Sequence, residues 1–395
     1  MPECRFKAVF TVDRFLRAIF SGLVLLCCAS LAHADDDFVV RGFGTLGMAR
    51  TTTDDVEFVR DLSQARGLNK QWSGAVDSVL GLQANWRLTP QLEAVVQGMS
   101  RYSNHRNFKP EMAWAYLKYE PLPNLSLRAG HLGTEFLMEA DSRWVGYSLL
   151  TVRPVGDYFW YLPFYGINGG DATVTQSFGD TVLRGKVFYG KSTGHIPLAD
   201  LQWDISGSPM AGTYLEAQHG PWQLRATYAN LRFNRDLPLP TWLTPAQSDF
   251  LHAENTRSHY YSLGLIYENG PWQGQLMLNH IIQGSRALES SDAGYGLLGY
   301  RVGQVTPYVG YSWVRSHRRS ENLDAVTQFI MEDSHTDQTT RILGMRWDFA
   351  PRMALKGQWD GVRGMPSSLL PYRMDNRAQW DGKLDVFSLT LDFIF

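Results

Sequence analysis

The segment Gly185-Lys186-Val187-Phe188-Tyr189-Gly190-Lys191-Ser192 has the spacing of a phosphate-binding loop, in which backbone N–H groups and one lysine cradle nucleotide phosphates. That chemistry needs a flexible loop after a strand and a helix opening at the serine. Here Val187, Phe188 and Tyr189 are strand formers, and Gly194 and Pro197 would break the helix. Gly190-Lys191-Ser192-Thr193-Gly194 fits the nucleophile elbow, which requires a strand-to-helix turn in an α/β sheet, yet no part of the chain alternates strands with helices. Gly42-Phe43-Gly44-Thr45-Leu46-Gly47 and Gly294-Tyr295-Gly296-Leu297-Leu298-Gly299 match a dinucleotide fingerprint, a pattern that recurs by chance among 36 glycines. The ten histidines show no metal-ligand spacing. The expectation is a protein with no catalysis, no cofactor and no metal.

What remains is electrostatic chemistry. The stretch from about Gly133 to Gly170 carries Glu135, Glu139, Asp141, Arg143, Arg153 and Asp157 among Trp144, Tyr147, Phe159, Trp160 and Tyr161. Connections longer than about 12 to 15 residues are uncommon and tend to be functional or disordered. With this many aromatics, a solvated tail is disfavoured.

The elements that must position these charges are read from periodicity. Residues 1–34 have a basic start (Arg5, Lys7, Arg14, Arg17), an apolar stretch from Ala18 to Ala32 and an Ala32-His33-Ala34 cleavage site, so a secretory signal is expected. Its removal would take all three cysteines. It would also leave 33 of 37 basic and 37 of 39 acidic residues, a formal charge of −4 that gives no reason to expect nucleic acid as a partner.

In residues 35–395 the clearest signal is the last segment. Phe387, Leu389, Leu391, Phe393 and Phe395 share one parity, and Ser388, Thr390 and Asp392 the other, as in a strand with one apolar and one polar face. Similar segments fall at about 38–50, 76–88, 92–102, 111–120, 125–132, 171–178, 181–191, 212–219, 222–233, 259–268, 272–284, 292–302, 305–316, 338–349, 353–362 and 383–395. Short turns at Pro90, Pro121, Gly179, Gly220, Gly270, Gly303 and Pro351 alternate with longer loops. Trp86, Tyr119, Phe178, Trp222, Tyr267, Trp272, Trp347 and Phe349 sit beside the short turns, where rings reach lipid headgroup level. The reading is an all-β fold: one transmembrane antiparallel barrel of sixteen strands over 35–395, in the bacterial outer membrane, with both termini periplasmic.

The terminal alternation ending on Phe395 resembles the signal by which the barrel-assembly machinery of Gram-negative bacteria recognises its substrates, so that machinery is an expected partner. The long stretch after Gly133 is the third long loop, and in this the chain resembles the general porins of Gram-negative bacteria. The resemblance implies a third loop folded into the lumen, a homotrimer, and passive diffusion of small hydrophilic solutes and ions. It makes Glu135, Glu139, Asp141 and Asp157 the expected loop acids of a constriction. Inward parity sets Arg87, Arg128, Arg184, Lys186 and Arg225 on the wall, with Arg41 a further member. Opposed rings of charge of this kind govern which solutes pass. A substrate-selective channel for phosphate, sugars or dicarboxylates is the alternative, and an outer-membrane barrel enzyme a more distant one.

Overall fold

In the computed structural model the described residues are 37–159, 166–198, 201–318, 323–365, 372–374 and 379–395, and the expected signal segment lies outside them. Sixteen strands form one closed antiparallel barrel. In chain order they are β1 (Phe38–Thr51), β2 (Val79–Thr89), β3 (Leu92–Arg101), β4 (Glu111–Leu122), β5 (Leu125–Gly133), β6 (Gly166–Phe178), β7 (Thr181–Thr193) and β8 (Pro209–His219). The second half comprises β9 (Trp222–Arg232), β10 (Arg257–Asn269), β11 (Trp272–Gln283), β12 (Ser291–Tyr300), β13 (Val305–Ser316), β14 (Asp337–Ala350), β15 (Met353–Gly364) and β16 (Lys383–Ile394). Each strand pairs with its neighbours in sequence, and β16 returns to β1.

The pleat dictates the two faces. Leu80, Leu82, Val187, Leu215, Leu263, Leu276, Leu343 and Leu389 are exposed on the outer one. So broad an apolar belt suits lipid and not water. Closure is what makes a sheet viable there, because every strand finds its hydrogen-bond partners and no edge is left in hydrocarbon. At the short-turn rim Trp222 packs on Tyr267 at 4.4 Å, Trp272 on Tyr300 at 4.7 Å and Trp347 near Phe349 at 5.5 Å, an aromatic girdle. The repeated Gly-Pro turns join directly paired ends, His219 to Trp222 and Asn269 to Trp272. Gly220 and Gly270 take φ of 53° and 57°, the left-handed value a two-residue hairpin needs at its first central position.

The seam between first and last strands explains one misleading motif. A Cβ on Gly44 would lie 2.4 Å from the Phe393 ring, and one on Gly42 would lie 2.2 Å from Phe395. These glycines clear space for the closing strand's aromatics rather than for a pyrophosphate, and Gly42 and Phe395 exchange both backbone hydrogen bonds. The phosphate-loop pattern likewise lies within β7.

Three boundaries differ from the sequence reading by three residues or more. β6 begins at Gly166, five residues earlier than expected, because Asn168, Gly169 and Gly170 have poor strand propensity, yet they pair with β5 and β7. β8 begins at Pro209, where a missing N–H is tolerated at a strand start. β2 begins only at Val79. Small hairpin and bridge strands, His195–Leu198 with Leu201–Asp204 and Val56–Phe58 with Tyr372–Met374, rise from the long-loop end. Two short helices there, Pro245–Phe250 and Ala325–Ser334, are capped by Thr244 and Asp324, and around them Leu243, Leu251, Ala287 and Met331 form a small core.

Candidate functional site

The third long connection runs from β5 to β6 and is described as far as Phe159; Trp160 and Tyr161 lie outside the described residues. Its side chains meet wall residues whose parity is opposite to that of the lipid belt. At its start Arg128 donates to Glu135 at 2.6 Å, and Lys186 pairs with the other carboxylate oxygen. Arg225 Nη1 donates to the Glu135 carbonyl at 3.4 Å. The wall supplies acids as well. Arg128 Nε donates to Asp171 at 3.0 Å, Arg225 Nε to Glu216 at 2.7 Å, and Arg184 to Glu216 at 3.0 Å. Four of the expected bases thus share one field with Glu135, Asp171 and Glu216. Burial disfavours the charged form of Glu135, but Arg128 and Lys186 outweigh it and hold its carboxyl below the ordinary carboxylate value.

Asp171 and Glu216 were missing from the sequence reading. Their signal lies in the register: Asp171 stands opposite Arg128, and Glu216 opposite both Arg184 and Arg225.

The middle and end of the loop are tied to the far wall. Arg153 donates to Asp77 at 2.8 and 2.7 Å and to Asp360 at 2.8 Å. Lys356, fully buried, donates to the carbonyls of Gly146, Leu149 and Thr151 at 2.6, 2.6 and 3.0 Å and lies 3.0 Å from Asp392. Arg346 donates to the carbonyls of Tyr147 and Leu149 at 2.7 and 3.0 Å. Asp157 accepts from Ser312 at 2.6 Å and from Gln338, while burial pushes its carboxyl up to about 6. Between these anchors Phe136, Leu137, Met138, Tyr158 and Phe159 join Tyr260, Met277, Ile281 and Tyr295 in one apolar cluster.

Glu139 accepts from Gln275 at 3.0 Å and Tyr295 at 3.4 Å, and burial pushes its carboxyl up to about 7. Asp141 is also raised, by burial and then by Glu135. Arg41 and Arg87 have the expected inward parity but lie toward the short-turn end, opposite Gln83 and Glu93, and among the described residues neither bonds to the loop. On β16, Phe387 and Leu389 face outward, Leu391 is half-buried, and Phe393 and Phe395 cover the β1 glycines. Among the described residues no group of three or more His, Cys, Asp or Glu side chains could hold a metal.

A closed sixteen-strand barrel with an apolar belt and a long third connection is the architecture of the Gram-negative outer-membrane porins, and solved structures of that class match it along almost the whole chain. OmpT of Vibrio cholerae superposes with a TM-score of 0.57 at 13% identity, over 92% of this chain and 99% of that one. OmpF of Salmonella typhi, in complex with daunomycin, gives 0.56 at 11% identity over 91% and 97%. The anion-selective porin of Comamonas acidovorans gives 0.53 at 14% over 91% and 99%. No protein-family model matches the chain, and no curated protein does. At these identities the likeness establishes the fold.

Proposed function

We propose that the chain is an outer-membrane channel through which small hydrophilic solutes and ions diffuse passively, narrowed by a third loop that lies in the lumen. One observation carries this reading. The loop reaches inward-facing charges on opposite sides of the barrel, Arg128 and Lys186 at its start and Asp360, Lys356 and Asp392 further along. A barrel of sixteen strands encloses more space than its own side chains fill, so a segment tied across it constricts an aqueous path rather than completing a core. Glu135, Glu139 and Asp141 on the loop, with Arg41, Arg87, Arg128, Arg184, Lys186 and Arg225 on the wall, are the charges a passing ion would meet, whereas Asp157, buried against Ser312 and Gln338, fixes the end of the loop. Residues 1–34 serve as the secretory signal, the segment ending at Phe395 as the assembly signal, and the termini face the periplasm. A homotrimer is the proposed assembly, in keeping with the trimer form of OmpT from Vibrio cholerae.

The test is the conductance of purified, heat-modifiable protein in a planar bilayer. Discrete, non-saturating steps are expected; folded protein that inserts without conducting would reject the channel.

A further inference from the structure

The outer wall carries a charge arrangement that the lumen does not explain. Strands β9 and β10 turn Trp222, Leu224, Tyr261 and Leu263 outward, all of them exposed. On the same parity, at the long-loop end, stand Arg232 and Arg257, both exposed and directly opposite one another in the register. Like charges facing each other across a strand pair are destabilising. Among the described residues neither guanidinium meets a carboxylate, whereas the outward bases Arg315 and Arg363 face Asp337 and Asp385, each at 3.6 Å.

Height places the pair at one level of the membrane. Trp222, in the short-turn girdle, is ten residues from Arg232 along β9. At about 3.3 Å per residue and a tilt of about 40°, ten residues rise roughly 25 Å, the height of the lipid-facing band in such barrels. The two arginines therefore lie at headgroup level in the opposite leaflet. Aromatic rings mark that level too. Tyr228 stands opposite Tyr261, with ring centroids 5.1 Å apart, and Tyr228 Oη lies 2.9 Å from Nδ1 of His259, which sits between Tyr261 and Arg257 on the same face. Rings of this kind belong where acyl chain gives way to headgroup. Further round the wall, His280 and His317 are both engaged by Asp292, at 2.6 and 2.7 Å.

We propose that Arg232 and Arg257 bind the phosphate monoester of a lipid headgroup in the leaflet at the long-loop end, which the orientation proposed above makes the cell-surface one. A phosphate monoester carries a charge of about −1.5 to −2 at neutral pH, so two guanidiniums balance it, and each can present a fork of N–H donors to its oxygens. A phosphodiester, with a single charge, leaves the pair half matched. The bound phosphate also removes the repulsion between the arginines, while Tyr228, Tyr261 and His259 give the neck of the lipid a ring surface. The site is on the outer wall, so it stands whether or not the barrel conducts.

The experiment reads lipid retention, by native mass spectrometry, for the purified barrel released from nanodiscs of phosphatidylcholine. One set contains a minor fraction of phosphatidic acid, a monoester, and a parallel set the same fraction of phosphatidylglycerol, a diester. Wild type should retain one phosphatidic acid per barrel, several-fold more often than phosphatidylglycerol. Arg232→Gln/Arg257→Gln should bring phosphatidic acid down to the level of phosphatidylglycerol, and Arg315→Gln should leave it as in wild type. Undiminished retention in the double variant, or equal retention of the two lipids by wild type, would overturn the proposal. Undiminished retention together with lost self-association would give the pair to a neighbouring copy of the chain instead. Arg257→Gln alone supplies a second measurement, in neutral detergent without phospholipid. It should raise the urea midpoint, because it relieves the repulsion; an unchanged or lowered midpoint would show that the protein itself satisfies the pair, and would also overturn the proposal.

Discussion

The two anchors of the third loop hold the wall with different kinds of ion pair. At the first, Glu135 and Arg128 keep 17% and 16% of their side-chain surface in solvent. At the second, Arg153 and Asp77 keep 3% and 1%, and Lys356 and Asp392 none. A partly wet pair can exchange its partner for water or a passing ion at small cost. A dry pair cannot: it has already given up hydration that its mutual attraction barely repays. Its effect is therefore to fix position, and the loop is pinned at one wall and left responsive at the other.

The largest effect should come from breaking the dry anchor on one side only. Arg153→Met leaves Asp77 and Asp360 buried without their shared cation, and removing one partner of a buried pair costs about 3–5 kcal/mol. Urea unfolding of the refolded barrel measures it. Adding Asp77→Asn and Asp360→Asn to the same chain should recover most of the loss, because the charges that needed Arg153 are gone. A loss below about 1 kcal/mol for the single variant would mean that water reaches this anchor and that the contrast between the two is false.

A second contrast is the sense of the pH response. Asp157, fully buried, has its carboxyl raised to about 6 from an ordinary 3.8. Its folded form holds a proton that the unfolded form releases. The resulting stability is present below about pH 4 and is lost as pH rises through about 6, roughly 3 kcal/mol in all. Glu135, held low, acts in reverse: its contribution is present above the ordinary carboxylate value and is lost as pH falls. The difference between wild type and Asp157→Asn, followed from pH 4 to 7 by urea midpoint, isolates the first term. Equal slopes in the two proteins would show that Asp157 is not buried as a proton holder.

How far this was legible in the sequence follows from what periodicity can encode. Parity along a strand gives the face, so the lipid belt, the polar face and the inward turn of Arg128, Lys186 and Arg225 were all readable. It does not give height, which is why Arg41 and Arg87 share that face but stand away from the loop. Nor does it give register, and without register the acids Asp171 and Glu216 could not be matched to the bases beside them. The dry anchor lay furthest from view. Arg153 and Asp360 are 207 positions apart, and nothing local to either signals the other, because the path of an irregular loop brings them together. β6 runs longer than its residues suggest for a different reason: pairing with two committed neighbours overrides the weak propensity of Gly169 and Gly170.

At the wet anchor, Glu135→Gln should cost less, about 1–2 kcal/mol, as expected for a charge-assisted hydrogen bond still open to solvent. Arg128 and Lys186 keep Asp171 as a partner. The reversal potential should move toward anions, and a stability loss as large as that of Arg153→Met would erase the difference between the anchors.

The smallest effect concerns Glu139, and it asks whether the loop reports pH to a passing ion. Glu139 is faced by Asp141 and Arg143 from the loop, Glu268 from β10, Gln275 from β11 and Tyr295 from β12. Burial raises its carboxyl to about 7. Below that value Glu139 is neutral. As pH rises through it, a negative charge develops on the loop, so the anion-to-cation permeability ratio should fall between about pH 6 and about pH 8. Asp141 is also raised, by burial and then by Glu135, and its variant separates the two acids. In Glu139→Gln the reversal potential should be flat across that range, while Asp141→Asn should keep the wild-type change. A pH dependence in Glu139→Gln equal to wild type would assign the titration to another group and leave the left-handed backbone of Glu139, at φ 63°, without a function.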